Sequence, residues 1–486
     1  MTEATRRIEP AGTTHDEAFE LPDPLQSPSA SSSRSAPVSL VIALVIVVGG
    51  TALQLLRIPR VPAWRSLQAE DGGIFLTEAL NRPLLSTIGR AYEGYLHVVP
   101  RLIAAFASLF PLSSAAVVIN TGSSVVVALL ALYVYDAGRN VLPSRWGRLV
   151  LCGLFLALPA TGFEANASIN NLHWYLDYAC FWVFVARPPT RTRVALGVVV
   201  AMGTALSDPL AALLLPLALF RVQQAVRRRD GVRRDAIVAP VVFVVGLALQ
   251  VVYGVSQKPP RSFVEVDWRD LPGTYGLRVA GSLFVGDAHL LSPFVRYGEV
   301  FALGLLAVAV VAAVAAWLAS PGRRVIVGVT FAYSVIFLVV PLLIRGTSIY
   351  LDRSVPTLDG SRYMIVPSVL LGAGLLIAAF RVPRGAGGWL FARVLLTALL
   401  VVVVAGSYRI TSSRSGGPDW PDNLRAAQQR CLDRGGDPPG SVGSARSAFA
   451  TPVGPGQVAI PTAPGQRDFS VWNVVVDCKR VLADAG

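Results

Sequence analysis

Lysine is almost absent from this 486-residue chain and occurs at only two positions, Lys258 and Lys479. Charged residues of all kinds make up 15% of the chain, against about 25% in soluble globular domains, whereas 53% of the residues are hydrophobic. A soluble protein of this size could not hide that much apolar surface. The shortage of charge therefore excludes an ordinary soluble protein and indicates an integral membrane protein.

Cysteine and histidine are also scarce, with four residues of each. The sequence has no CxxC motif and no Cys/His cluster with zinc-ligand spacing, so we expect neither a metal nor a cofactor. It also lacks a nucleic-acid-binding motif and an internal repeat. The net charge of +13 comes almost entirely from arginine and fits the basic cytoplasmic loops of a bacterial inner-membrane protein. Abundant Ala, Val and Gly further suggest a GC-rich, actinobacterial genome.

Apolar segments long enough to cross a bilayer, about 20 residues per helix, recur along the chain. The pattern predicts an all-α polytopic membrane protein with about eleven transmembrane helices. We place them near residues 37–56, 113–136, 148–162, 174–187, 194–207, 210–222, 236–255, 297–319, 325–343, 362–380 and 389–408.

Arginine lies in alternate short loops, which sets the predicted orientation. The densest of these loops carries Arg221, Arg227, Arg228, Arg229, Arg233 and Arg234. The side rich in arginine is cytoplasmic in such proteins. We therefore predict a cytoplasmic amino terminus, with a disordered tail over 1–36, and an extracytoplasmic carboxyl terminus. The transmembrane domain spans 37–408, and the long outer segments are 57–112, 256–296 and 409–486.

Two of these outer segments contain their own predicted structure. The first outer loop, 57–112, has helix-like pieces at Ile74–Leu80 and Tyr95–Phe110, which we expect to lie parallel to the membrane. The tail, 409–486, reads as a small domain with a helix at Asn423–Leu432 and strands at Gln457–Ile460 and Ser470–Cys478. Cys431 and Cys478 would form a disulfide outside the cytoplasm, or else remain two unpaired thiols.

Ionisable residues at a membrane boundary are costly, so each is a candidate for function. Glu70 and Asp71 come first, because a carboxylate in the first outer loop could act as general base on an acceptor hydroxyl. Gly72 and Gly73 would allow backbone or substrate to approach closely. The alternative is that Asp71 caps the helix that follows it.

Three further groups are candidates for substrate binding. Glu93 and His97, four residues apart, could share one helix face, or could simply mark the start of an interfacial helix. The stretch 164–177 offers the amides of Asn166, Asn170 and Asn171 together with His173 and Trp174, a set suited to a sugar, or else a polar turn with an interfacial tryptophan. Asp208 precedes Pro209 and would equally well be a helix cap.

Arg362 and Tyr363 begin the tenth predicted span. The planar guanidinium of arginine binds phosphate oxygens in pairs, and Arg345 and Arg353 flank the same loop. Snorkelling of Arg362 to lipid phosphates is the alternative.

This layout resembles the GT-C superfamily of membrane glycosyltransferases, which use polyprenyl-phosphate sugars. The resemblance rests on Glu70-Asp71 in a long first outer loop, about eleven spans, and the runs Tyr95–Arg101, Asn171–Trp174 and Gly360–Tyr363. It implies that Asp71, or alternatively Glu70, is the general base and that Arg362 binds the donor phosphate. The motif here is Glu-Asp-Gly-Gly rather than the family's Asp-Glu pair followed by aromatics, so the choice of base stays open.

The expected function is transfer of a sugar from a polyprenyl-phosphate donor to an envelope polysaccharide, glycolipid or protein on the outer face of the membrane. The resemblance implies an inverting displacement without a metal. The alternatives are a flippase of lipid-linked sugars and a polysaccharide polymerase or ligase. A transporter would favour ionisable groups near mid-membrane in repeated halves, and a polymerase would favour a large later loop.

Overall fold

The computed structural model describes residues 38–186, 190–227, 233–257, 267–345, 359–380, 387–439, 452–463 and 472–484. The predicted disordered tail, 1–36, lies outside the described residues. The described chain is mostly helical, with two small two-stranded sheets.

Each predicted apolar segment coincides with a helix. Among the described residues, five helical stretches are long and apolar enough to cross a membrane: Leu112–Asn140, Pro209–Val226, Glu299–Leu318, Pro321–Leu343 and Ser361–Ala379. The other helices at predicted positions are Leu40–Leu55, Arg145–Ala157, Leu172–Val185, Arg191–Ala205, Arg233–Gln257 and Gly387–Gly406. The all-α membrane class is therefore confirmed in this coarse form.

One end of the helix assembly is rich in arginine. Asp136 forms ion pairs with Arg139, at 3.0 Å, and with Arg193. Arg148 donates to the carbonyls of Leu142 and Pro143, each at 2.9 Å, and Arg323 donates to the carbonyl of Val141. Loops that are far apart in sequence thus meet at this end.

The opposite end gathers the predicted outer segments. Arg57 is fully buried there and donates to the carbonyl of Tyr408 at 2.9 Å and to that of Leu158 at 2.8 Å. The backbone N–H of Val99 donates to the Ser207 hydroxyl at 3.1 Å. Residues from the first outer loop, the later turns and the start of the tail therefore share one end of the molecule.

The first outer loop is more varied than predicted. A π-helix, Asp71–Leu76, continues as an α-helix, Thr77–Asn81, which confirms the first helical piece. The second prediction is wrong at its start, because Tyr95–Leu96 is a strand that pairs with Ala91–Tyr92. The helix begins only at Val98 and ends at Ala107; a short helix also covers Leu84–Ile88.

The tail contains the predicted helix and two strands, with somewhat different bounds. Its helix is Trp420–Arg434, and its antiparallel strands are Gln457–Pro461 and Asn473–Asp477. Asp419 caps the helix by accepting from the Asp422 N–H, and Gly435 ends it with a φ of 70°. Cys431 and Cys478 form a disulfide, which confirms that pairing. A last helix, Cys478–Ala483, follows directly.

The tail packs closely on the first outer loop. The backbone of Ala463 donates to the Leu67 carbonyl at 2.8 Å, and Asn81 donates to the Val475 carbonyl at 2.7 Å. A Cβ on Gly73 would lie 2.9 Å from the Trp472 ring. The tail is therefore the segment that approaches closely at the two glycines of the Glu-Asp-Gly-Gly motif.

Candidate functional site

Asp71 is fully buried, and its carboxylate faces the stretch 164–177. It accepts hydrogen bonds from the Ser168 hydroxyl at 3.1 Å and from the backbone N–H groups of Ile169 at 3.1 Å and Asn170 at 2.9 Å. Burial raises the pKa of Asp71 to about 7, although these donors and the charge of Arg414 oppose the shift. Asp71 thus bonds a distant segment and does not cap its own helix.

Arg414, which the sequence analysis did not single out, is buried beside the same segment. It donates to the carbonyls of Asn166 and Ala167, each at 3.2 Å, and to the Ser66 carbonyl at 2.9 Å. A further bond goes to the Asn120 amide oxygen. Burial lowers the pKa of Arg414 to about 10, while the Asp71 charge opposes that change. No local motif marks this role, because every partner is far away in sequence.

Glu70, Glu164 and Arg362 meet at this end of the molecule. The carboxylates of Glu70 and Glu164 both act electrostatically on the Arg362 guanidinium. The backbone N–H of Arg362 donates to Glu164 Oε2 at 3.3 Å. All three side chains are half-buried rather than sealed from solvent. Glu164 was part of the predicted polar stretch but was not identified as a candidate by itself.

Aromatic rings adjoin this charged group. The Trp174 and Tyr363 rings lie edge to face with centroids 5.2 Å apart, and the His173 ring lies 4.6 Å from Trp174. The Arg362 guanidinium lies 5.2 Å from the centroid of Tyr363. The structure thus brings together residues that the sequence analysis had named in two separate stretches.

Asp208 both caps a helix and faces His173. Its Oδ1 accepts from the Leu210 N–H at 2.8 Å, so the predicted cap is confirmed. Its Oδ2 lies 3.7 Å from His173 Nε2. Burial raises the pKa of Asp208, and His173 opposes that shift. Asp177, a buried residue of the helix Leu172–Val185, lies beside Asp208 and was not predicted as a site residue.

Glu93 and His97 do not share a helix face, so that prediction is wrong. Glu93 lies in the tight turn between the two short strands, with a φ of 55°. His97 directly precedes the helix Val98–Ala107, stacks on Tyr95 at 4.1 Å and is fully buried. Burial, together with the charge of Arg101, lowers its pKa well below the ordinary value. Its ring centroid lies 6.5 Å from that of His173.

The asparagine amides mainly fix the stretch 164–177. Asn171 donates to the Ser168 hydroxyl at 3.1 Å and to the Glu164 carbonyl at 3.3 Å. Asn166 donates to the Gln54 carbonyl at 2.7 Å. These bonds shape the segment that carries Glu164, His173 and Trp174, so the amides position the site whether or not they also touch a substrate.

Several buried polar atoms around this site have no hydrogen-bond partner among the described residues. They are Trp174 Nε1, His173 Nδ1, Asn171 Oδ1, Asp208 Oδ2 and Ser361 Oγ. A buried polar atom without a partner costs about 1–3 kcal/mol, and such atoms are rare in native proteins. Such atoms also occur elsewhere among the described residues, and a polar ligand or ordered water beside Arg362 would satisfy the five named here.

Two of the predicted phosphate-binding residues cannot be placed, because Arg353 and the side chain of Arg345 lie outside the described residues. Within the described ranges, no group of three or more His, Cys, Asp and Glu side chains is arranged to hold a metal ion. Comparison with protein-family models, with curated proteins and with solved structures found no match.

Proposed function

We propose that this protein is a membrane glycosyltransferase of the GT-C type. It transfers a sugar from a polyprenyl-phosphate donor to an envelope polysaccharide, glycolipid or protein at the outer face of a bacterial inner membrane. In this proposal eleven helices cross the membrane, the amino terminus is cytoplasmic and the tail is extracytoplasmic. The exposed apolar side chains of Leu85, Phe106 and Leu109 support a first outer loop that lies against the lipid.

The observation that carries the proposal is the grouping of Glu70, Arg362 and Trp174 at one end of the helix assembly. Arginine supplies a planar cation for a phosphate. The half-buried Tyr363 ring supplies a flat apolar surface for a sugar, and the buried Trp174 ring packs edge to face against it. A half-exposed carboxylate supplies a base. The unpartnered polar atoms around them support a polar substrate at this place.

Glu70 fits the role of general base better than Asp71 does. A base must be able to reach the proton that it removes. Both carboxylate oxygens of Asp71 already accept hydrogen bonds from residues 168–170, and its side chain is fully buried. Glu70 is half-buried and lies near Arg362. We therefore assign the role of general base to Glu70, and we assign to Asp71 the role of holding the segment 168–170 in place.

The mechanism is a single displacement at the anomeric carbon. Glu70 takes the proton of the acceptor hydroxyl as its oxygen attacks, and the bond from the anomeric carbon to the phosphate oxygen breaks. The electron pair of that bond moves to the phosphate, where the Arg362 charge stabilises it. Glu164 accepts from the backbone of Arg362 and holds that residue in place.

The test compares membranes that contain wild type, Glu70→Gln, Asp71→Asn and Glu299→Gln, each supplied with radiolabelled polyprenyl-phosphate hexoses and pentoses. Glu299 is an exposed glutamate at the start of a helix and serves as the matched control. We expect Glu70→Gln to accumulate normally and to lose sugar transfer, while Glu299→Gln retains it. Full transfer by Glu70→Gln would remove Glu70 from the mechanism, and no transfer by wild type from any donor would contradict the proposed activity.

One observation favours a second candidate function. Asp177 and Asp208 form a buried pair of acidic residues among the helices, and ionisable residues of this kind also occur in transporters of ions and lipids. A flippase would move a fluorescent lipid-linked sugar across the bilayer of proteoliposomes without breaking its glycosidic bond. The glycosyltransferase would cleave that bond.

A further inference from the structure

The pair His173–Asp208 is placed to act on the group that Arg362 binds. His173 Nε2 lies 3.7 Å from Asp208 Oδ2, and the imidazole packs on Trp174. The Arg362 charge also acts on the imidazole, and the Trp174 and Tyr363 rings connect the two residues. His173 therefore lies beside a fixed carboxylate and within electrostatic reach of the proposed phosphate site.

Asp208 is fixed in a position from which it can orient His173. Its Oδ1 accepts from the Leu210 N–H at 2.8 Å as a helix cap, and Pro209 follows it at the first helical position. Its Oδ2 has no hydrogen-bond partner among the described residues. The carboxylate is thus fixed by one oxygen and presents the other to His173. Histidines that change charge near neutral pH are commonly oriented by such a carboxylate.

We propose that His173, oriented by Asp208, is a second ligand of the donor phosphate and gives it a proton as it leaves. This inference rests on the proposed function and deepens it. Binding of the donor anion would place a second negative charge beside His173 and so favour the imidazolium form. As the bond between the anomeric carbon and the phosphate oxygen breaks, the imidazolium proton passes to that oxygen.

The protons balance across the reaction. The acceptor hydroxyl loses its proton to Glu70, and the departing polyprenyl phosphate gains one from His173. Solvent then returns the proton from Glu70 to the imidazole. The products are the glycosylated acceptor and a singly protonated polyprenyl phosphate.

Other charged groups surround the imidazole and bear on its ionisation. Burial of the ring lowers the pKa of His173, Asp208 opposes that shift, and the Arg362 charge adds to it. His97 faces His173 from the first outer loop, with Arg101 behind it. Asp177 adjoins Asp208, and Glu70 and Glu164 adjoin Arg362.

The test measures binding rather than transfer, so the identity of the sugar is not needed. The probe is a methyl polyprenyl phosphodiester, whose single negative charge stays constant between about pH 5 and 9. Its affinity for the full-length protein in nanodiscs is measured across that range, with the closest spacing of pH values below 6.5, because burial lowers the pKa of His173 from that ordinary value. We expect wild-type affinity to fall about tenfold with rising pH, which is the loss of one charge-assisted hydrogen bond.

Variants of His173 and Asp208 test the role of His173 separately from the proposed phosphate site at Arg362. His173→Gln should bind equally at all pH values, at the weaker wild-type level. Asp208→Asn, whose remaining oxygen can still cap the helix, should shift the transition to lower pH because the imidazolium loses its negative partner. His289→Gln is the matched control, since His289 is exposed and lies outside the site.

Two results would overturn the inference. If affinity does not change with pH, or if His173→Gln keeps the wild-type pH dependence, His173 is not a phosphate ligand. In that case, loss of binding in Arg362→Gln would still support the proposed phosphate site at Arg362. If the wild-type protein does not bind the phosphodiester at any pH, both the inference and the proposed function fail.

Discussion

Asp71 and Arg414 bind the same short segment of chain, residues 166–170. Arg414 donates to the carbonyls of Asn166 and Ala167, and Asp71 accepts from Ser168 and from the next two backbone N–H groups. One residue belongs to the first outer loop and the other to the beginning of the tail. Both therefore fix the segment that connects Glu164 to His173 and Trp174.

Removing the charge of Asp71 should change how stability depends on pH. Its pKa is about 7 in the folded protein, raised from an ordinary 3.8 by burial. The folded state therefore binds the proton more tightly than the unfolded state does, and stability should decrease as pH rises from about 4 to 7. Asp71→Asn should flatten that part of the profile. Thermal unfolding in detergent, followed by tryptophan fluorescence at several pH values, measures this slope, and an unchanged slope would contradict the prediction.

A side chain at Gly73 should weaken the contact between the first outer loop and the tail. The new Cβ would lie 2.9 Å from the Trp472 ring, and overpacking of this kind costs about 1–3 kcal/mol. We expect Gly73→Ala to speed tryptic cleavage within the tail in intact membranes. Gly153→Ala is the control, because nothing lies within 4 Å of its added Cβ. Equal cleavage rates in the two variants would argue against close packing at this contact.

Loss of the tail disulfide should destabilise the tail without unfolding the helix assembly. Cys431 and Cys478 are separated by 47 residues, and closing a loop of that length stabilises the folded state by about 4 kcal/mol in the chain-entropy model. Cys431→Ser with Cys478→Ser should make the tail sensitive to protease. In the denatured, unreduced wild type, a thiol reagent should label two cysteines, Cys152 and Cys180. Labelling of four would mean that the disulfide does not form.

Replacing Trp174 should affect binding of the sugar more than it affects the chemical step. Trp174→Ala removes the ring beside Tyr363 and should raise KM about tenfold, whereas Trp174→Phe should change it less. Trp182→Phe, in the same helix but packed against Tyr178 and Phe181, is the matched control. Steady-state kinetics of sugar transfer provide the measurement. Equal KM values for Trp174→Ala and wild type would exclude the ring as a sugar surface.

Much of the site could be predicted from local sequence. Asp208-Pro209 is a capping pair that needs only its own neighbours, and the structure has that cap. Arg362 and Trp174 were found because polar and aromatic residues at membrane boundaries are conspicuous among apolar helices. The pairing of Cys431 with Cys478 was predicted from the presence of two cysteines in one segment that we expected outside the cytoplasm.

The wrong predictions have a common cause. The spacing of Glu93 and His97 fits a helix, but a hairpin turn at Glu93 and Gly94 separates them. Asp71 precedes a helix and so looked like its cap, yet its carboxylate bonds residues nearly a hundred positions away. In both cases local periodicity was overridden by contacts that form only when the chain folds.

The sequence by itself determined the class of the protein, the positions of its apolar helices and the grouping of its polar loops. It could do so because hydropathy and arginine placement can be evaluated within one segment of the chain, without knowledge of its tertiary contacts. The tertiary structure alone decided that Asp71 is buried, that the Glu70 charge acts on Arg362 and that His173 lies near Asp208. Those relationships depend on which buried donors and acceptors find one another, and their partners come from segments scattered over the whole chain.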